Sequence, residues 1–517
     1  MTDDAQAVLD YHLATNHSVK SVQSNNLALD FSNFPRTYKL YRRLETVPLT
    51  EELVASKLPV LDALSNTGVA PQTQSSPGLA TLSTLLKLSA GITKWLTVPN
   101  GKMAFRAASC TGAMYHIELY VVCGELEGLS AGVYQYGVHD NALRLLRSGD
   151  FRGALTEASG SHSGVADAPV TIVYTSVFWR NAWKYQGRAY RHAYWDGGTI
   201  LANTLALASS HGLKSSVVTG FEDSSVNRVI DVDGAKEAAL FMVPLGYAPS
   251  MSPSSTAPPE RARLETLPYS PQEVEYPLIH STHQATSLAD ADEVAAWRSS
   301  TMSMTTPTPI LQTTPLAPAL QPEDSVDEVI SHRGSTRKFQ EMPISYADFS
   351  TMLVAATGGV PGDYLSETGA SLPGASLNDM YLIVNAVEGL ASGAYVYHCK
   401  SQELELLKEG RFREEAGHLG LNQTLAHDAA VNVYFMADLE AVISGLGPRG
   451  YRAAQLDAST TAGRLYLSAY ALGLGASGLT FFDEEVSEFF APHAAGKSVM
   501  FLVLLGEPAY RRKVDRD

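Results

Sequence analysis

The sequence predicts an α+β protein built from two tandem copies of one fold, closed on each other as an intramolecular pseudo-dimer. Three observations predict it. Gly128–Tyr136 (GLSAGVYQY) returns 261 positions later as Gly389–Tyr397 (GLASGAYVY). The likeness continues: Leu143–Leu146 with Gly149 and Phe151-Arg152 returns as Leu404–Leu407 with Gly410 and Phe412-Arg413. Tyr190-Arg191 with Asp196 recurs as Tyr451-Arg452 with Asp457, and Phe221-Glu222-Asp223 as Phe482-Asp483-Glu484. A period this long is no solenoid repeat. Third, strands interleave with long helices without regular βαβ alternation.

Residues 1–78 read as a turn-rich N-terminal extension with one short helix at Glu51–Leu58. Copy A takes residues 79–250 and copy B residues 323–517. The Ser/Thr/Pro-rich stretches between them read as a linker, 251–322, with a helical insert over Pro271–Ala296. In each copy apolar strands come first (Ile117–Val122; Met380–Val384), followed by a glycine-rich turn. A second strand follows (Val170–Val177; Val431–Ala437), and then a long helix (about Arg191–Ser210; Arg452–Leu472) capped by Gly212 or Gly473. Two more strands close each copy: Ser215–Phe221 with Ala239–Leu245, and Gly478–Phe482 with Val499–Leu505. The long helices are apolar nearly all round, which places them between the copies.

At 517 residues, each copy is large enough to bury its own core. A net charge of −16, from 38 Lys+Arg against 54 Asp+Glu, argues against nucleic acid or an anionic membrane as the main partner. The longest apolar runs, Val499–Leu505 and Ala238–Val243, are too short to span a bilayer. No apolar signal core follows the acidic Met1-Thr2-Asp3-Asp4, so a cytoplasmic protein is expected. Three scattered cysteines (Cys110, Cys123, Cys399) give neither a disulfide framework nor a zinc site.

Several segments are candidates for chemistry. Gly473–Gly478 matches GxGxxG, but it follows a helix and precedes a strand, the reverse of the dinucleotide context, so it reads as a helix cap. His280 and His283 have no further ligand at metal spacing, and no metal is expected. Arg333-Gly334-Ser335-Thr336-Arg337 follows a helix at Val326–Ile330. Two guanidinium forks and a hydroxyl suit a phosphate as well as they suit a solvated basic turn. Arg106–Tyr115 is small, hydroxyl-rich and glycine-bearing, so a planar ligand could approach its backbone closely. Phe178–Arg191 holds two Trp, two Tyr and four cations. It reads as a substrate pocket with a Lys184-Tyr185 pair for proton chemistry, or as aromatic packing with stacked arginines.

Together these residues resemble the nitroreductase-fold flavoproteins, in particular the SagB/ThcOx-type azoline dehydrogenases. Arg333, Ser335 and Arg337 match that family's RxSxR segment for the FMN phosphate. Arg106, Cys110, Gly112 and Tyr115 match the partner-subunit loop against the flavin, with Ser109, Cys110 and His116 replacing its proline, serine and second proline. Trp183-Lys184-Tyr185 ahead of Tyr190-Arg191 matches as well, as do Tyr11, His12, Thr15 and His17 and the Glu275-Tyr276-Pro277 segment. The resemblance implies one FMN across the seam, with Arg333, Ser335, Arg337 and Arg511 from copy B and Ser109, Cys110, Thr111 and Gly112 from copy A. The reciprocal site, lacking arginines from copy A, is expected to be empty or weak. The implied activity is oxidation of thiazoline or oxazoline rings in a modified peptide or related natural product. Lys184 and Tyr185 would be catalytic, with Tyr185 as a phenolate whose pKa Lys184 lowers, or with the roles reversed. Two alternatives stand beside it: a generic NAD(P)H-dependent nitro- or quinone reductase, and a non-catalytic scaffold or peptide-binding subunit of a biosynthetic complex. Further dimerisation of the fused chain is left open.

Overall fold

The computed structural model describes residues 2–25, 27–67, 75–98, 101–248, 259–300, 309–365 and 373–510. Each copy contributes one antiparallel sheet. In copy A the spatial order is Thr46–Pro48, Ala142–Ser148, Gly132–Gly137, Ile117–Cys123, Val170–Val177 and Glu237–Leu245. In copy B it is Gly475–Leu479, Ser498–Gly506, Val431–Ala437, Asp379–Val384, Gly393–His398, Glu403–Glu409 and Thr313–Pro315. The central strands are buried along their length and rich in Val, Ile, Leu and Tyr, as strands covered on both faces must be.

Several elements differ from the sequence reading. The repeated glycine-rich segment is itself a strand, Gly132–Gly137 or Gly393–His398, hairpinned to the next strand. No helix forms at Glu51–Leu58; the short helix lies later, at Val60–Ser65. Thr46–Pro48, ahead of it, pairs with Ala142–Arg144 as an edge of the copy A sheet. The linker insert is two helices, Pro277–Ala285 and Ala291–Ser299. A separate hairpin, Ile92–Val98 with Gly101–Arg106, stands off the copy A sheet.

The long helices, Ala189–Ser210 and Gly450–Ala471, pack against each other and form the seam. Small residues permit the close approach: a Cβ on Gly463 would lie 2.6 Å from Ala202 Cβ, and one on Gly198 would strike the Ser459 hydroxyl. Ser459 Oγ donates to Tyr194 O at 2.8 Å, and Trp195 Nε1 to Gln455 Oε1 at 2.6 Å.

The repeated Tyr-Arg and acidic motifs meet across this seam. Asp483 of copy B accepts from Arg188 Nη1 (3.0 Å) and Arg191 Nη1 (2.6 Å) of copy A. Asp223 of copy A accepts from Arg449 Nη1 (2.5 Å) and Arg452 Nη1 (2.8 Å) of copy B. Each outer arginine also ties down a docked helix. Arg191 Nε reaches Thr15 Oγ1 (3.1 Å) beyond the helix Asp3–Ala14, and Arg452 Nε reaches Thr286 Oγ1 (2.8 Å) beyond Pro277–Ala285. The equivalence also corrects the alignment: Asp223 corresponds to Asp483, not Glu484, and each opens a short helix, Asp223–Val229 or Asp483–Phe489.

Burial pushes both carboxyls up, but the paired arginines outweigh it and hold Asp223 and Asp483 at about 2. Because both sit below the unfolded carboxylate value of about 3.9, their stabilisation is complete above pH ~4 and is lost as pH falls towards 2. Thermal scans from pH 6 to pH 2.5 should show the melting temperature falling steeply only below pH ~4. Asp483→Ala leaves two buried guanidinium groups facing each other and should cost about 3–5 kcal/mol in denaturant unfolding.

Candidate active site

Asp196, on the copy A long helix, is buried and faces the loop that joins Arg106 to the strand Ile117–Cys123. Its carboxylate accepts from Thr111 N (2.8 Å), Thr111 Oγ1 (2.7 Å) and Cys110 Sγ (3.0 Å), and pairs with His116 Nε2 (2.9 Å). His116 Nδ1 lies 2.8 Å from Ser176 Oγ, and Thr199 Oγ1 donates to Ser109 O at 2.9 Å. One carboxylate therefore fixes the loop carrying Ser109, Cys110, Thr111 and Gly112. Asp457 does the same in copy B, accepting from Leu377 N and Asn378 Nδ2, both at 3.0 Å, and from Ser376 Oγ. Burial and the Asp196 charge push the Cys110 thiol well up, so it is a neutral hydrogen-bond donor.

Gly112 has φ 61°, and any side chain there would strike the Tyr185 hydroxyl. The glycine thus serves two needs at once, left-handed backbone and room for the phenol. Tyr185 lies at the end of the helix Phe178–Tyr185, edge-on to His192 with ring centroids 4.7 Å apart. Lys184 Nζ stands 5.2 Å from the centre of the Tyr185 ring, over its face. Burial, and then the Asp196 carboxylate, raise the Tyr185 pKa. The expected lowering by Lys184 does not occur, and the side chain stays a neutral phenol.

Much of the aromatic-cationic cluster around Tyr185 is framework. Arg180 pairs with Glu118 at 2.6 Å, Arg188 and Arg191 belong to the Asp483 cluster, and Trp179 and Trp183 are buried, with Trp179 donating to Ser270 Oγ (2.7 Å). Lys184 is the cation of this segment that remains half exposed.

From copy B, the helix Val326–His332 delivers Arg333 to the seam. Arg333 is buried, donates from Nε to Ala107 O of copy A at 2.7 Å, and lies 5.6 Å from the Tyr466 ring centre. Ser335 Oγ is 3.5 Å from Tyr466 Oη, which accepts the Gly478 amide. Thr336 N donates to Ala476 O (2.9 Å), while its buried hydroxyl has no hydrogen-bond partner among the described residues. Arg337 is exposed, and Arg511 lies outside the described residues. Arg333 of copy B thus meets the start of the copy A loop at the carbonyls of Arg106 and Ala107. The sequence reading assigned no role to Tyr466 or Asp196; the recurrence of Asp196 as Asp457 was the signal for the latter.

The space behind the loop, lined by Arg106, Ser109, Cys110, Tyr115 and Asp196, is only about 10 Å³, too small for a cofactor. A cavity of about 450 Å³ lies elsewhere, on the outer face of copy A. Its charges are mutually paired, Lys39 with Glu237 at 2.6 Å and Lys236 with Glu273 at 3.1 Å, which leaves little demand for a ligand.

Two α+β units packed along a shared helical seam define a pseudo-dimeric oxidoreductase of the nitroreductase class. The Nitroreductase family model matches residues 75–247 and 330–506, and the chain belongs to that family, once in each copy. A crystal structure of a nitroreductase-type protein from Anabaena variabilis superposes with TM-score 0.77 at 26% identity, covering 97% of this chain and 99% of that one. The trifolitoxin-processing protein of Rhizobium leguminosarum bv. trifolii is 32% identical over 145 residues, 27% of this chain and 39% of that protein. The microcin B17-processing protein of Escherichia coli is 29% identical over 136 residues, 25% of this chain and 50% of that protein. The matched segments span half or less of those two relatives.

Among the described residues, no helix is long and apolar enough to cross a membrane. Burial raises Cys123 and Cys399 to about 12, and raises Cys110 as well. All three thiols should therefore alkylate with iodoacetamide at pH 8 at least about tenfold more slowly in the folded protein than in urea, read by mass spectrometry.

Proposed function

We propose that the chain is an FMN-dependent dehydrogenase that oxidises thiazoline or oxazoline rings of a modified peptide, with its site in the seam crevice. The observation that carries this reading is the meeting of Arg333 with Ala107 O at 2.7 Å, which joins the phosphate-type segment of one copy to the capping loop of the other. The donor set fits the cofactor: a buried guanidinium, the Ser335 hydroxyl, the unpartnered Thr336 hydroxyl and the exposed Arg337 suit a phosphate dianion. Nitroreductase-family proteins generally hold FMN, and two relatives are named for processing trifolitoxin and microcin B17.

When bound, FMN supplies a two-electron hydride acceptor. Azoline oxidation also releases a ring proton, and this chain's residues must take it. Tyr185, kept as a neutral phenol by burial, is suited to orient the ring by donating a hydrogen bond. Lys184, which stands over the Tyr185 ring and remains half exposed, is the group of this segment placed to handle that proton. Asp196 acts at one remove, by holding Ser109–Gly112 in place.

The purified protein should absorb near 450 nm, and Arg333→Ala should lose most of that absorbance on desalting while still folding. Lys184→Ala should keep the flavin and lower azoline oxidation by about 10²–10⁴-fold. Tyr185→Phe should cost less. Undiminished oxidation in the Lys184 variant would remove the lysine from the chemistry, and NADPH-driven nitroarene turnover without azoline oxidation would favour a reductase instead.

A further inference from the structure

The duplication creates a second crevice, related to the first by the pseudo-twofold axis. Its parts are the copy A segment Ser215–Gly220, which corresponds to Gly475–Thr480, and the copy B chain between the helix Tyr346–Ala356 and the strand Asp379–Val384. That copy B chain corresponds to the hairpin and capping loop of copy A.

In copy A this stretch stands outward. Lys94–Thr97 and Gly101–Met103 of the hairpin are exposed, and only its root and the loop reach the seam. In copy B the described part of it, Gly359–Tyr364, folds inward. Val217 N donates to Pro361 O at 2.7 Å, and Asp363 N returns to Val217 O at 3.0 Å. The Asp363 carboxylate then accepts from Thr219 N (3.0 Å), Gly220 N (2.7 Å) and Thr219 Oγ1 (2.6 Å). Around it, Arg464 Nη2 donates to Thr67 Oγ1 (2.6 Å) and Nη1 to Gly359 O (2.8 Å), while Trp297 packs so close to Gly220 that a side chain there would strike its ring. Val360, Asp363, Tyr364, Thr67, Arg464 and Thr219 are all buried.

The matching strand end of the first crevice is open. Gly478, Leu479 and Thr480 are half exposed, whereas Val218, Thr219 and Gly220 are buried. The equivalent residues are thus buried under the chain's own carboxylate in one crevice and half exposed in the other.

We infer that Gly359–Tyr364 is a built-in plug: Asp363 occupies the second crevice as an internal anionic ligand, so the fused chain carries one cofactor site. This inference rests on the reading of the first crevice as the flavin site, and it goes further, because the second crevice is closed by its own residues rather than merely short of arginines. A peptide carboxylate that already satisfies two buried amides leaves them nothing to offer a bound cofactor.

Two measurements test it. In apo-protein without added ligand, the Thr219 and Gly220 amides should be strongly protected from hydrogen exchange. Asp363→Ala should speed their exchange at least about tenfold, and Asp363→Asn, which keeps one acceptor, should do so less. Separately, protein saturated with FMN and then unfolded should release one FMN per chain. Unprotected amides in the wild type, exchange unchanged by Asp363→Ala, or release of two FMN would each overturn the plug. If Asp363→Ala does not fold, wild-type protection and the Asp363→Asn variant still decide. Release of no FMN with protected, Asp363-dependent amides would sink the flavin reading and leave the plug standing.

Discussion

Two buried carboxylates hold this molecule in its folded arrangement; each takes its charged partners from the opposite copy and one further amide from chain outside the sheets, His17 N for Asp483 and Leu288 N for Asp223. Asp483 lies against Arg188 and Arg191, and Asp223 against Arg449 and Arg452. Two guanidinium groups around one carboxylate leave a net positive charge, which backbone carbonyls absorb: Thr15 O for Arg188, and Thr286 O and His283 O for Arg449 and Arg452. Neither copy alone could bury these groups, because a buried ion without its partner costs several kcal/mol, on the order of 3–5. The clusters also recruit the segments after Asp3–Ala14 and Pro277–Ala285, so chain lying outside the two sheets is bound into the same frame.

That frame is close to symmetric, and the proposed site sits where the symmetry fails. Both copies keep the long helix, the loop-holding aspartate and the interlocked arginines. They differ in the chain ahead of the first central strand, which carries a projecting hairpin in copy A and, over Gly359–Tyr364, an inward segment in copy B. They differ again in the Arg333–Thr336 segment, delivered to the seam by copy B. A homodimer must change both of its sites together. A fused pair can keep one crevice for a ligand and convert the other to structure, because the frame does not depend on either loop.

The duplication was legible in the sequence because the repeated positions are buried strands and helix, where packing limits the allowed residues. The α+β class and the long helices followed from pattern alone. The partners of individual charges did not. Arg191 meets a carboxylate 292 positions away, and nothing local in Phe178–Arg191 distinguishes a cation committed to such a partner from one free to meet substrate. A one-residue slip in aligning Phe221–Asp223 with Phe482–Glu484 hid the pairing, since it set Asp223 opposite a glutamate. The hairpin did leave a signal that went unread: Asn100-Gly101 lies between Ile92–Val98 and Lys102–Arg106, a turn dipeptide between strand-forming runs.

The copy A long helix shows how the frame and the site are geared together. Arg191, Trp195, Gly198 and Ala202 lie at helical spacing and face copy B, through the Asp483 cluster, the Gln455 hydrogen bond and the glycine contacts. Asp196, Thr199 and Asn203, one step round the same helix, face copy A, where they hold Thr111, Ser109 O and Leu88 O. A helix rotated by even one residue, about 100°, would break both sets at once. The position of the capping loop is therefore set by the ion clusters through a single rigid element. The half-buried Tyr185 inherits it too, because its hydroxyl lies against the glycine of the loop that Asp196 helps to hold. Lys184 and Tyr185 and the Arg333 segment come from different copies, yet one helix and its charges fix how the two copies meet.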